Sequence, residues 1–117
     1  MPLMPQVSES STQAPPQSAP QKLVAALWQR NQPQVLDRLA VLDRAAAAAV
    51  AGTLTPALLG DAAGVAHKLA GSLGMFGFHE GTRIARELDQ HLESPILDAA
   101  TLTTLTTQLR DSLRPPL

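Results

Sequence analysis

The sequence predicts an all-α protein: an up-down antiparallel four-helix bundle with a short extra N-terminal helix. Three observations carry this. The apolar share of 44% is mostly Ala and Leu, among the strongest helix formers, and the aromatic residues are limited to Trp28, Phe76 and Phe78. Apolar residues recur at steps of three and four. Gly and Pro interrupt that pattern at intervals that leave helix-length segments between them. A length of 117 residues fits one compact domain.

The first 20 residues, MPLMPQVSESSTQAPPQSAP, are rich in Pro, Ser and Gln and carry one charge, Glu9. They show no apolar period and read as a disordered tail or linker. Residues 21–31 place Leu23, Val24, Leu27 and Trp28 on one side of a short helix, and Pro33 interrupts or kinks the path after it. Residues 34–51 repeat Val35, Leu36, Leu39, Leu42, Ala46 and Val50 at helical spacing, and Gly52 ends them. Thr55-Pro56 is a helix start, with an N-cap hydroxyl followed by a ring that has no N–H to leave unpaired. That helix is expected to run to about Phe76, where Gly77 breaks it. The next, about 79–93, buries Ile84, Ala85, Leu88 and Leu92, and its outer face pairs Arg83 with Glu87 and Arg86 with Asp89 or Gln90. Ser94-Pro95 is the following break. The last helix, about 98–113, carries the seam Leu102, Leu105, Leu109 and Leu113. The bundle therefore spans 21–113, and 114–117 form a second Pro-rich tail. Such flanks suit a domain tethered to something larger or a short free-standing protein.

Composition narrows the function. With no cysteine, disulfides, thiolate metal sites and Cys nucleophiles are excluded. A net charge of −1 gives no nucleic-acid footprint. No apolar run is long enough to span a membrane, and the N-terminus has no signal-peptide pattern, so a cytoplasmic location is expected.

The segment 55–78 breaks the rules of a surface helix. All seven glycines of the chain lie between Gly52 and Gly81. At about 100° per residue, Leu58, Val65, Leu69 and Phe76 fall on one line, the expected core stripe, and His67 falls on the opposite line. Within about 60° of His67 lie Gly60, Ala63, Gly64, Ala70, Gly71 and Gly74, all small. Glycine in a helix costs about 1 kcal/mol against alanine, so three or four cost roughly 3–4 kcal/mol, much of a small domain's stability. Either another helix packs closely on this face, or something outside must reach the His67 ring. An exposed imidazole leaves one nitrogen unprotonated at neutral pH, able to act as a nucleophile. No Asp or Glu stands at i±3 or i±4 to orient it, so covalent transfer with activating groups supplied by a partner suits it better than hydrolysis.

The run Ala66-His67-Lys68-Leu69-Ala70-Gly71-Ser72, continuing Leu73-Gly74-Met75-Phe76-Gly77-Phe78, resembles the signature of histidine phosphotransfer (HPt) domains, an AHxLKG-like motif followed by small residues ending in LG or FG. The resemblance extends over about residues 21–113. It implies a phosphorelay carrier with His67 as phosphoacceptor, at Nε2 by the family's habit. Gly64, Gly71 and Gly74 would leave room for the partner, and Lys68 offers a nearby positive charge. The implied partners are a response-regulator receiver domain, a hybrid sensor histidine kinase, or both. The docking surface would be the small-residue face with neighbouring residues of the following helix. No cofactor is expected on this chain, since Mg²⁺ would belong to the receiver, and a monomer is expected. One position departs: Ala70 stands where the family commonly has a lysine thought to help hold the phosphoryl group. That departure supports a rival reading, a degenerate, non-phosphorylated helical adaptor. His67, His79 and His91 are spaced twelve apart, which is not metal-ligand spacing on a helix. His79 is expected at the start of its helix and His91 on a partly exposed helical face.

Overall fold

The computed structural model describes residues 19–114. It is all-α: helix α1 (Ala19–Ala51), α2 (Pro56–Ser72), a 3₁₀ turn (Leu73–Phe76), α3 (His79–Glu93) and α4 (Ala99–Ser112). The sequence-based tail readings for residues 1–18 and 115–117 lie outside the described residues. None of the described helices is long and apolar enough to cross a membrane.

The first two expected helices are one. α1 runs for 33 residues with Pro33 inside it. The proline removes one N–H and crowds the carbonyl four residues back. Pro33 is exposed, so water can take the carbonyl that loses its partner. The chain divides into two compact units, and the boundary falls within α1, between Arg30 and Asn31. In the first, Leu23 and Val24 are exposed, at 60% and 37%, contrary to the apolar side expected for them, whereas Trp28 is buried.

The second unit holds the bundle. Its core takes Val35, Leu39, Leu42, Ala45 and Ala46 from α1, Ala62, Ala66 and Leu69 from α2, and Leu73 from the 3₁₀ turn. Ile84, Ala85, Leu88 and Leu92 come from α3, and Leu102, Leu105 and Leu109 from α4, followed by Leu113. Leu36 and Val50 do not join it. Leu36 lies about 100° around from Val35, and Val50 sits in the last turn of α1 at 68% exposure. The α2 stripe is also rotated, by about 50°, from the expected line. Alanines 62 and 66 face inward, where small side chains let helices approach. Leu58, Val65 and Phe76 cover the flanks half-buried.

The boundaries follow local chemistry. Gly52, at φ 73°, closes α1. The Thr55 hydroxyl accepts the Leu58 N–H at 3.1 Å, with Pro56 at the first helical position. After Ser72 the chain tightens into the 3₁₀ turn, which ends on Gly77 at φ 83°, a backbone conformation that disfavours side chains. α4 is capped by Asp98, whose Oδ2 accepts the Thr101 N–H at 2.9 Å and its hydroxyl at 2.6 Å. These bonds, the hydroxyl first, hold the Asp98 carboxyl below the usual aspartate range. His91 Nε2 accepts the Asp98 N–H at 3.1 Å, so this histidine fastens the α3–α4 turn. Across the bundle, Arg110 grips Asp43 with two bonds of 2.9 and 2.7 Å, joining α4 to α1. That contact raises the Arg110 pKa further above its ordinary value.

Candidate functional site

His67 sits mid-helix on α2 and its side chain is 79% exposed. The rotated stripe still leaves it well away from the core line. Its Nδ1 lies 3.2 Å from Oδ2 of Asp89 on α3, a residue whose side chain is only 20% exposed. A carboxylate can only accept, so the contact places the imidazole proton on Nδ1 and leaves the Nε2 lone pair outward. The other carboxylate oxygen, Asp89 Oδ1, is buried and has no hydrogen-bond partner among the described residues.

The glycine cluster answers the question it raised. A Cβ added at Gly60, Gly64 or Gly71 would meet nothing within 4 Å. Among the described residues no helix packs on these three, so the cleared face is open there and is not a close helix contact. Gly74 faces Thr82, whose Oγ1 would lie at an ordinary 3.7 Å from an added Cβ. Ala63 and Ala70 are half-buried beside the α2–α3 seam. Lys68 is exposed and has no ion pair among the described residues. It projects about 100° from His67, and Gly71 follows one turn on. Gly81 differs from the open glycines. It is buried in α3, and an added Cβ would fall 3.1 Å from Leu113 Cδ2, 3.2 Å from Ser112 Oγ and 3.3 Å from Leu73 Cδ1.

Two expectations about side-chain pairs change. His67 does have an orienting carboxylate, but it comes from the next helix, 22 residues away, and no local spacing signals it. Asp89 therefore does not pair with Arg86, which has no ion pair among the described residues. Arg83 does pair with Glu87, and also with Glu80 through two bonds of 2.8 and 2.9 Å. These contacts, the Glu80 hydrogen bond first, lower the Glu80 pKa and raise that of Arg83. His79 starts α3 as expected and is exposed. Among the described residues no group of His, Cys, Asp and Glu could hold a metal ion.

Comparison with known proteins accords with this geometry. Residues 26–114 match the family described as the Hpt domain. Protein RcaC of Microchaete diplosiphon is 39% identical over 80 residues, which are 66% of this chain and 12% of that protein. The chain thus spans about an eighth of the length of the curated relative it matches. No solved structure matches the chain significantly. An antiparallel helical bundle, an outward histidine in an AHxLxG run and a family match across most of the helical region converge: the chain belongs to the Hpt domain family, the histidine phosphotransfer modules of phosphorelays.

Proposed function

We propose that this domain carries a phosphoryl group on Nε2 of His67, taken from the phospho-aspartate of a receiver domain or from a hybrid sensor histidine kinase and passed to a second receiver. The observation that carries the reading is the ring itself: 79% exposed, with Nδ1 tied to Asp89 and open space over Gly60, Gly64 and Gly71.

The chemistry balances without an external base. The Nε2 lone pair attacks phosphorus, and an N–P bond forms. The P–O bond to the receiver's aspartate breaks, and its electron pair leaves with that carboxylate. Nδ1 keeps its proton, so the ring becomes a phospho-imidazolium whose positive charge faces Asp89. Reversal onto another receiver regenerates neutral His67. This chain supplies nucleophile, tautomer and docking face. Activation of the acyl phosphate, with Mg²⁺, belongs to the receiver. The domain is accordingly a carrier and not an enzyme in its own right, and a monomer in the cytoplasm suits that role.

The test uses a labelled phospho-receiver with the wild-type protein and with His67→Gln. Label is expected on the wild type alone, and equal label on both would sink the reading. Ala70 favours one rival, an adaptor that binds a receiver without accepting phosphate. A small phosphodonor separates the two: the adaptor would give no ³¹P signal and no shift of the ring nitrogens.

A further inference from the structure

We infer that Arg86 is the cation that holds the phosphoryl group on His67, reaching it across the α2–α3 seam; the inference rests on the phosphocarrier reading above.

Two contacts fix the register of the seam. His67 lies opposite Asp89, and Gly74 lies opposite Thr82. Seven residues forward from 67 to 74, the last two in the 3₁₀ turn that continues α2, thus match seven residues back on α3, from 89 to 82. The helices run antiparallel, and Ala70, three residues past His67, is level with Arg86, three residues before Asp89. The offset along the helix axis is about 4.5 Å, within the span of an arginine side chain. Arg86 is also turned about 60° from Asp89, away from the buried Leu88 and Leu92 and toward solvent. Ala70 offers only a methyl group at that level, and Arg86 is exposed.

The charge balance calls for such a group. A phosphoryl group on Nε2 brings a charge approaching −2, and Asp89 already stands against Nδ1 of the same ring. The other arginines of α3, of α4 and just after it are engaged: Arg83 by Glu80 and Glu87, Arg110 by Asp43, Arg114 more loosely by Asp111. Arg86 has no ion pair or hydrogen bond among the described residues, and its i+4 neighbour Gln90 is neutral. Its planar fork suits two phosphoryl oxygens at once. Lys68 projects to the side of α2 turned away from α3, and as an ammonium it offers a point charge without that fork.

The test loads the protein with phosphoramidate, which donates directly to histidine, and follows ³¹P NMR for wild type, Arg86→Gln, Arg86→Lys and Lys68→Gln. Arg86→Gln is expected to lower the phosphorylated fraction at fixed donor about threefold, the size of an exposed charged contact. It should also raise the pH at which the phosphoryl group takes up its proton. Arg86→Lys should recover part of both effects, and 1 M salt should erase the difference. Arg86→Gln with wild-type loading and wild-type titration would overturn the inference, as would Lys68→Gln carrying the loss instead. A wild type that takes no label would overturn the phosphocarrier reading itself, and this inference with it. Failure at Arg86 alone leaves a labelled wild type, so the two failures are distinguishable.

Discussion

Asp89 on α3 holds its Oδ2 3.2 Å from Nδ1 of His67 on α2, and this contact decides which nitrogen of an otherwise open ring faces outward. Removing it should act on the imidazole before it acts on the fold. Asp89→Ala is expected to slow phosphoryl uptake about tenfold, the low end for a hydrogen bond to a charged group. It should also mix the ring tautomers, read from the ¹⁵N shifts of His67. Asp89→Asn, which keeps a hydrogen bond but no charge, should fall between. An unchanged tautomer ratio in Asp89→Ala would remove the orienting role.

Gly64 and Gly71 should separate folding from function. Neither has a neighbour within reach of an added Cβ. Gly64→Ala is therefore expected to stabilise the domain by about 0.5–1 kcal/mol, helix propensity being the only term that changes. Gly71→Leu should leave helicity and melting intact while cutting transfer from a phospho-receiver at least about tenfold, because the side chain would fill the open space through which the proposed partner reaches His67. Thermal melts beside transfer rates check both, and unimpaired transfer in Gly71→Leu would contradict the steric account.

At Gly81 the same chemical change should have the opposite sign. Its missing Cβ would crowd Leu113, Ser112 and Leu73 together, and both leucines are fully buried. Gly81→Ala is expected to cost about 1–3 kcal/mol, as overpacking does, despite the gain in helix propensity. Denaturant unfolding of Gly81→Ala and Gly64→Ala side by side tests the contrast.

Asp98 gives the α4 cap a pH dependence. Its carboxyl is held below the ordinary value, so the folded state binds the proton less readily than the unfolded chain. The stabilisation is then complete above the ordinary aspartate pKa of about 3.9 and fades as the pH falls through the lower native value. Wild type should melt higher than Asp98→Ala at pH 7, with the gap closing below about pH 4. A gap that stays constant into acid would refute the ionic part of the cap.

Much of this was legible in the residue order because it is local. Thr55-Pro56, Gly77 and Ser94-Pro95 each stop or start a helix through chemistry contained within a few residues. The cleared face around His67 needed only the helical period. Pro33 misled because its penalty depends on exposure, which one helix viewed alone does not reveal. Leu36 and Val50 misled because apolar spacing marks a face without saying how far the neighbouring helices extend along it. The Asp89–His67 contact was hidden for a deeper reason. It depends on the register between two antiparallel helices, set by packing such as the fit of Gly81 against Leu73, and no spacing within either helix encodes it.

The openness of the His67 ring also bears on timing. The space that admits a receiver admits water equally, and among the described residues nothing closes over Nε2. For a phosphoryl group carried there as proposed, the 79% exposure of the ring leaves the lifetime to the intrinsic hydrolysis of phosphohistidine and to how soon an acceptor arrives.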